Sequence, residues 1–374
     1  MSIKKVDLVV GANYGDEGKG LTVARIAKSL LNEKIANVLT NGGAQRGHSV
    51  SFNNIIHIFH HFGSASPFEA TTFYDRDFIL DPLAFRQEFI ALSKKFNALL
   101  PNAVRDTKCR WSTPFDSMYN QMESLMDWKG TCGMGIWATI CRFNEMKNPT
   151  FDYFCEELSY DQKVQYLNKI KAYYENKWGG NILPQYQFAW YSKYLIEHFI
   201  DDCMFMYQHT DKLESKIING FDHVIFENGQ GLLLNDDGKD DPEKTPSQTG
   251  SNAIMNFMKM MPDVEHLNIH YVTRPYLTRH GSKNFMMEWV DGDLKKEEEI
   301  NKYNDWQRKM LYANMDLNEL KDRINKDQLH VSNLPTNISF TVDVTHCDEL
   351  DRKKEFKKIF DGNFDLNFYG SKEV

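Results

Sequence analysis

Long apolar runs are missing from this sequence. No stretch approaches the ~20 consecutive apolar residues of a membrane-spanning helix. The N-terminal MSIKKVDLVVGANYGD holds too short an apolar run for a secretory leader. A basic excess is missing as well: 44 Lys and Arg stand against 52 Asp and Glu, a net charge of −8. Little is left to displace counterions, which argues against nucleic acid as a main partner. Cysteine is scarce. Cys109, Cys132, Cys141, Cys155, Cys203 and Cys347 form no CxxC pair and no metal-ligand spacing with histidine. They read as reduced, mostly buried thiols, and a cytoplasmic setting without membrane contact is expected. Repeats, low-complexity linkers and the GxxxxGK[ST] spacing of a P-loop are absent too.

What is present begins with VDLVVGANYGDEGKG, residues 6–20. Val6 to Val10 is short, β-branched and stopped by Gly11, as in a buried strand. From Gly18 to Leu31, apolar residues at 23, 26, 27, 30 and 31 predict a helix with one apolar face. Similar strands recur at 223–231, 267–276 and 338–346, each ending in polar or glycine residues. The expected fold is α/β: a mainly parallel central sheet flanked by helices, P-loop-like, with ligand at the carboxyl ends of its strands. Residues 85–215 read as a mainly helical insertion within a single 1–374 domain. The charge-rich 286–330 stretch reads as a solvated helical face.

Gly11, Gly15, Gly18 and Gly20 let the backbone approach a ligand closely, and Lys19 can reach a phosphate. A helix starting near Gly18 offers free N–H groups to an anion. Carboxylates are unexpected in such a loop. Asp16 or Glu17 can hold Mg²⁺ against phosphates or take a proton from an attacking group; a tight turn with two solvent-facing acids is the plainer alternative. A second glycine stretch, TNGGAQRGHSV (40–50), places His48 where it can protonate or polarise a leaving oxygen. A lone histidine is as readily a structural hydrogen-bonder.

GDEGKG (15–20) and GGAQRGHSV (42–50) resemble the WGDEGKGK and GGNNAGHTV signatures of adenylosuccinate synthetases. Further segments follow in the family's order. GTCGMGI (130–136) is similar to GTTxRGIG, FENGQG (226–231) to FEGAQG, and TGSN (249–252) to TSSN. TRPYLTRHGSKNF (273–285) is similar to TRxYxTRxGxGPF, FTVDV (340–344) to TKLDV, and YGS (369–371) to VGP. The resemblance implies a ligase that joins L-aspartate to C6 of a purine nucleoside monophosphate, through a 6-phosphoryl intermediate made with ATP or GTP. It makes Asp16 the acceptor of the N1 proton and later a Mg²⁺ contact, and His48 the general acid. Lys19, with Gly15, Glu17, Gly18 and Gly20, would meet phosphates, and the Gly47 carbonyl would meet Mg²⁺. Gln45, Thr131 and Thr249 would hold the nucleotide, Gln230 its 6-position. Asp343 and Gly370 would line the triphosphate's base. Thr278, Arg279 and Arg308 are the weak amino-acid contacts. The family implies a homodimer.

The chain also departs from the family pattern. The arginine-rich run that clamps aspartate is reduced at 301–316 to Arg308 and Lys309. Thr341 stands where TKLDV has its lysine. Arg142 is the nearest match for the arginine donated across the dimer. HHFGSA (60–65) and the Trp306–Gln307 segment resemble the viral branch of the family, which uses deoxyguanylate and ATP to make 2-aminodeoxyadenylosuccinate, in host cytoplasm. That is the preferred expectation. IMP with GTP is the alternative within the class, and a non-catalytic purine-nucleotide-binding protein is the alternative outside it.

Overall fold

The computed structural model describes residues 5–96, 102–128, 130–236, 244–280, 305–308 and 310–371. Its centre is a nine-stranded sheet in which every pairing is parallel. From one edge it runs Asp365–Phe368, Asn337–Val344, His266–Thr273, then β1 (Lys5–Gly11), His223–Glu227, β2 (Ile35–Leu39), Thr71–Tyr74, Ala103–Arg105 and Asp211–Lys212. A parallel sheet needs cover on both faces, so its strands are continuous apolar runs. Alternate residues of β1 serve the two sides. Val9 packs with Val23, Ala24 and Ala27 of helix α1 (Lys19–Ser29), whereas Val6, Leu8 and Val10 meet Phe257, Phe356 and Phe360. The expected 18–31 helix therefore exists but stops two residues early, with Leu30 as its cap.

Between 82 and 208 the described chain is mainly helical, from Pro82–Lys95 to Lys193–Gln208. Trp111 sits at the centre of these helices, wholly buried against Phe151, Phe154, Tyr166 and Phe199. Arg142 is beside it. Its guanidinium donates to both carboxylate oxygens of Asp116 (2.8 and 3.1 Å), to the Trp111 carbonyl and to Asn148. Tyr174 donates to the same Asp116. Arg142 has no exposed surface and no free edge for a second chain. The nearest match for an arginine shared across a dimer is a core residue.

The antiparallel hairpin His48–Phe52/Ile55–Phe59 leads into HHFGSA. Glu88, on the helix Pro82–Lys95, holds that segment. Its carboxylate accepts from the backbone N–H groups of His60 (3.0 Å), His61 (2.5 Å) and Phe62 (3.2 Å), with His57 Nε2 at 3.1 Å. All six cysteines are free, and Cys109, Cys155 and Cys203 are buried. Among the described residues no helix is long and apolar enough to cross a membrane. Of the 286–330 stretch, residues 286–304 lie outside the described residues, and 317–328 is a helix as expected.

Removing one partner of a buried ion pair strands the other charge, at ~3–5 kcal/mol. Arg142→Met is expected to lower unfolding stability by about that amount in urea denaturation. A loss below about 1 kcal/mol would show that Asp116 needs no cation.

Candidate active site

The chain leaves β1 at Gly11 and turns back into α1 through residues 12–18. Gly18 adopts φ +91° as the helix cap, where a Cβ would stand 2.9 Å from Thr345 Cγ2. Only glycine takes that conformation without strain. Asp16 takes φ +59° without being glycine, and Gln230 takes +61° in the facing loop. Such outliers persist only where surroundings over-determine them, and they cluster at functional sites. Three backbone carbonyls supply that restraint. Arg274 Nε donates to Asp16 O (2.6 Å), Thr278 Oγ1 to Gly15 O (2.9 Å) and Thr345 Oγ1 to Glu17 O (2.7 Å). The second glycine stretch packs directly on the first: a Cβ on Gly20 would lie 2.7 Å from His48 Cβ and 2.8 Å from Ser64 Oγ.

The two loop acids diverge in character. Burial pushes the Asp16 carboxyl up, but the His280 ring (Nδ1–Oδ2 3.4 Å), Arg274 and Lys19 outweigh it and hold the group well below the usual carboxylate range. Asp16 is an anion at neutral pH. Burial raises Glu17 to about 7 despite Lys19, the Asn13 N–H (2.5 Å) and Arg323. Lys19 is itself lowered by burial, with Glu17 and Asp16 opposing.

His48 faces a carboxylate. Its Nδ1 lies 2.5 Å from Glu227 Oε1, and Ser64 supplies Glu227 with its hydroxyl (2.6 Å) and its backbone N–H (3.0 Å). Burial would raise Glu227, but His48, Arg46 and Ser64 bring it down to about 2. Burial lowers His48 to about 4 against the pull of Glu227. The neutral ring therefore donates from Nδ1, which leaves Nε2 as the acceptor.

Other sequence-predicted residues are arranged around this centre. Gln230 follows Glu227 in the facing loop, and its backbone carbonyl would lie 2.5 Å from a Cβ on Gly11. Gln45 and Gly47 lie in the 40–48 loop, where Gln45 packs on Gly42. Thr249 Oγ1 donates to Gly231 O (2.9 Å). Thr131 Oγ1 donates to Asn120 and accepts from Gly133 N–H, so it shapes its own loop. Trp306 covers that loop at Gly133. Arg279 lies over Tyr14 at 4.5 Å and Arg308 over Trp128 at 4.3 Å. Lys309 lies outside the described residues. Asp343 is buried, accepting from Asn367 Nδ2 (2.9 Å) and meeting His270 Nδ1 (2.7 Å). Gly370 O accepts from Arg25, which stacks on Tyr369.

Sequence reasoning missed Glu227, Ser64, Arg46, Arg274 and His280. One signal was available for Glu227: a charge ending the apolar run HVIF, where a strand buried on both faces tolerates none without a partner. Buried polar atoms without a partner gather at these loops: Glu17 Oε2, Gln45 Oε1, Arg46 Nε and Nη1, Gln230 Oε1 and His280 Nε2. Such atoms are costly unless a ligand completes them. A cavity of about 330 Å³ opens at the 40–42 turn, lined in part by Asn41, Gly42, Thr245, Ser247, Gln248 and Asn252, and none of those six orphaned atoms belongs to its lining.

A parallel sheet with glycine loops, a buried lysine and a fixed carboxylate at its strand ends defines an anion-binding α/β site. Comparison gives the particular family. The adenylosuccinate synthetase family model matches residues 8–309, and the chain belongs to that family of C–N ligases. It is 25% identical over 308 residues to the adenylosuccinate synthetase of Porphyromonas gingivalis, covering 77% of this chain and 67% of that one. To the Wolinella succinogenes enzyme it is 23% identical, covering 78% and 69%. The match thus spans about two thirds of these relatives. Two solved structures share the fold. The fully ligated adenylosuccinate synthetase of Plasmodium falciparum has TM-score 0.66 at 14% identity, covering 90% of this chain and 76% of its own. The cyanophage S-2L succinoaminodeoxyadenylate synthetase (PurZ), bound to dGMP and dATP as an energy donor, has TM-score 0.65 at 11% identity, covering 99% and 93%.

His270 bridges Asp343 and Asp7 (Nε2–Oδ1 3.0 Å) beneath the site. Burial opposes its charge, but both carboxylates raise it to about 10. An unfolded histidine titrates near 6.5 (~6.5). The folded value is the higher one, so this stabilisation is complete below about pH 6.5 and is lost as pH rises through about 10. Denaturation midpoints are expected to fall across that window, and His270→Gln to flatten the slope. An unchanged slope in the variant would refute the bridge.

Proposed function

We propose that this chain is an ATP-dependent ligase that converts dGMP and L-aspartate to 2-aminodeoxyadenylosuccinate, in host cytoplasm, as a single domain with a helical insertion and as a homodimer. The observation that carries the reading is the opposed pair across the glycine loops: Asp16, held as an anion at φ +59°, and the Glu227-backed His48, with Lys19 between. A binding protein needs neither a fixed base nor a histidine backed by a carboxylate. Asp16 takes the proton from N1 of the purine, which makes O6 the nucleophile for the terminal phosphate. The incoming phosphate favours protonation of His48 Nε2, and Glu227 stabilises the resulting imidazolium. The amine of aspartate then displaces the phosphate from C6. Lys19, Gly15, Glu17, Gly18 and Gly20 cradle phosphate; Gln45, Thr131 and Thr249 hold the monophosphate, and Gln230 the 6-position.

Asp16 and the Gly47 carbonyl would hold Mg²⁺, which when bound neutralises charge on the phosphates. The donor set fits: Asp16 is a hard oxygen anion, and Mg²⁺ in phosphate sites takes one or two carboxylates and keeps other positions for phosphate and water.

The nucleotide choice has its own support. The Asp16 carboxylate can accept from both N1–H and the 2-amino group of guanine. Asp343, the base-reading position, already engages His270 and Asn367, which disfavours bidentate reading of a second guanine and favours ATP over GTP. The phage enzyme with dGMP and dATP aligns with 99% of this chain. Aspartate would meet Thr278 and Arg279, with Arg308 as a weaker contact.

The deciding assay mixes protein, Mg²⁺ and L-aspartate with dGMP or IMP and with ATP or GTP, and reads the succinyl adduct by mass spectrometry. The dGMP/ATP pair is expected to give product. Asp16→Asn and His48→Ala are each expected to lose about 10²–10⁴-fold in kcat with nucleotide still bound. An adduct with IMP alone would assign the chain to adenylosuccinate synthesis. Near-full turnover in either variant would remove the assigned chemistry.

A further inference from the structure

Arg46 has no counterpart in the family signature, which reads GGNNAGHTV where this chain reads GGAQRGHSV. An alanine position has become an arginine, two residues before His48. The side chain is only 6% exposed. Its Nη2 donates to the Glu227 backbone carbonyl, and its Nε and Nη1 are buried with no acceptor. The Glu227 carboxylate, the nearby anion, is already engaged by His48 and Ser64. A second change accompanies the first. FENGQG carries Gly229 where FEGAQG has alanine, and a Cβ there would stand 3.5 Å from Arg46 Nε and 3.4 Å from Asn41 Oδ1. The chain has lost a methyl beside the guanidinium it gained, and the buried Nε lies near Gly229 without an acceptor.

A buried guanidinium with a single carbonyl acceptor destabilises the ligand-free protein. Sites of this kind persist where a ligand supplies the missing acceptors. Arginine suits a phosphate, because its N–H groups match two oxygens at once. The same chain has thinned its arginines at 301–316 and has committed Arg142 to the core.

We propose that Arg46 is a phosphate-binding residue that completes its hydrogen bonds on a nucleotide phosphate, supplying from within the chain a cation that the family draws from elsewhere. The inference rests on reading these loops as a phosphate site, and not on the ligase reaction. The phosphate comes either from the monophosphate or from the terminal group of the triphosphate.

Thermal unfolding separates the cases. Wild type, Arg46→Met and Arg46→Lys would be compared without ligand, with dGMP, with deoxyguanosine and with a non-hydrolysable ATP analogue. Arg46→Met is expected to match or exceed the wild-type Tm without ligand, because a buried guanidinium with two unmet N–H donors is gone. A purely structural arginine would lower it. The upward shift given by the phosphate ligand is expected to be lost in Arg46→Met and partly restored in Arg46→Lys, while deoxyguanosine acts equally on all three. Loss of the dGMP shift assigns the 5′-phosphate; loss of the ATP-analogue shift assigns the terminal phosphate. A lower Tm without ligand, or undiminished shifts with both nucleotides, overturns the proposal. No shift in wild type with either nucleotide overturns the phosphate-site reading itself.

Discussion

The Glu227 carboxylate ties together parts of the chain that are far apart in sequence. It ends a strand in the middle of the sheet, next to β1. It takes His48 from the hairpin and both donors of Ser64 from the HHFGSA segment. A buried carboxylate without such partners would be protonated or would unfold its surroundings. Its burial therefore fixes where the hairpin and the following segment can sit. Glu88 repeats the device one layer out, gathering the backbone N–H groups of residues 60–62 and so placing Ser64. The line Glu88, loop, Ser64, Glu227, His48 turns helix packing into the orientation of one imidazole.

On the other side of the glycine loop the restraint is made through backbone carbonyls. Arg274, Thr278 and Thr345 grip residues 15–17 and hold Asp16 at a left-handed φ. The Asp16 side chain, by contrast, is held by charge, from His280, Arg274 and Lys19. Both halves carry buried, under-satisfied polar atoms. That costs stability in the free protein and is the arrangement expected where a ligand's phosphates and base complete the bonding.

Membership of the adenylosuccinate synthetase family fixes the class of chemistry but not each position. The loops proposed to meet phosphate and the 6-position keep the family's order along the chain. The parts that differ from the signatures are Arg46 and Gly229 within the motifs, Thr341 before Asp343, and the arginine-poor run at 301–316.

Much of this was legible in the sequence. Strand positions follow from short apolar runs stopped by polar residues, since a strand buried on both faces admits little else. Asp16, Lys19 and His48 could be singled out because their neighbours along the chain are glycines. Pairings across the sheet could not be read. Glu227 to His48, Asp16 to His280, and Asp343 to His270 join residues 179, 264 and 73 positions apart, by subtraction of their numbers. Arg142 shows the reverse case: it was only the nearest match for the arginine donated across the dimer, and burial against Asp116 revealed a core ion pair. The sequence by itself determined the sheet's strands, the glycine loops and the residue types available for chemistry, because these depend on local patterning. Tertiary structure alone decided which acid stays charged, which histidine stays neutral and which arginine is left with unmet donors, because each depends on burial and on partners supplied by other strands.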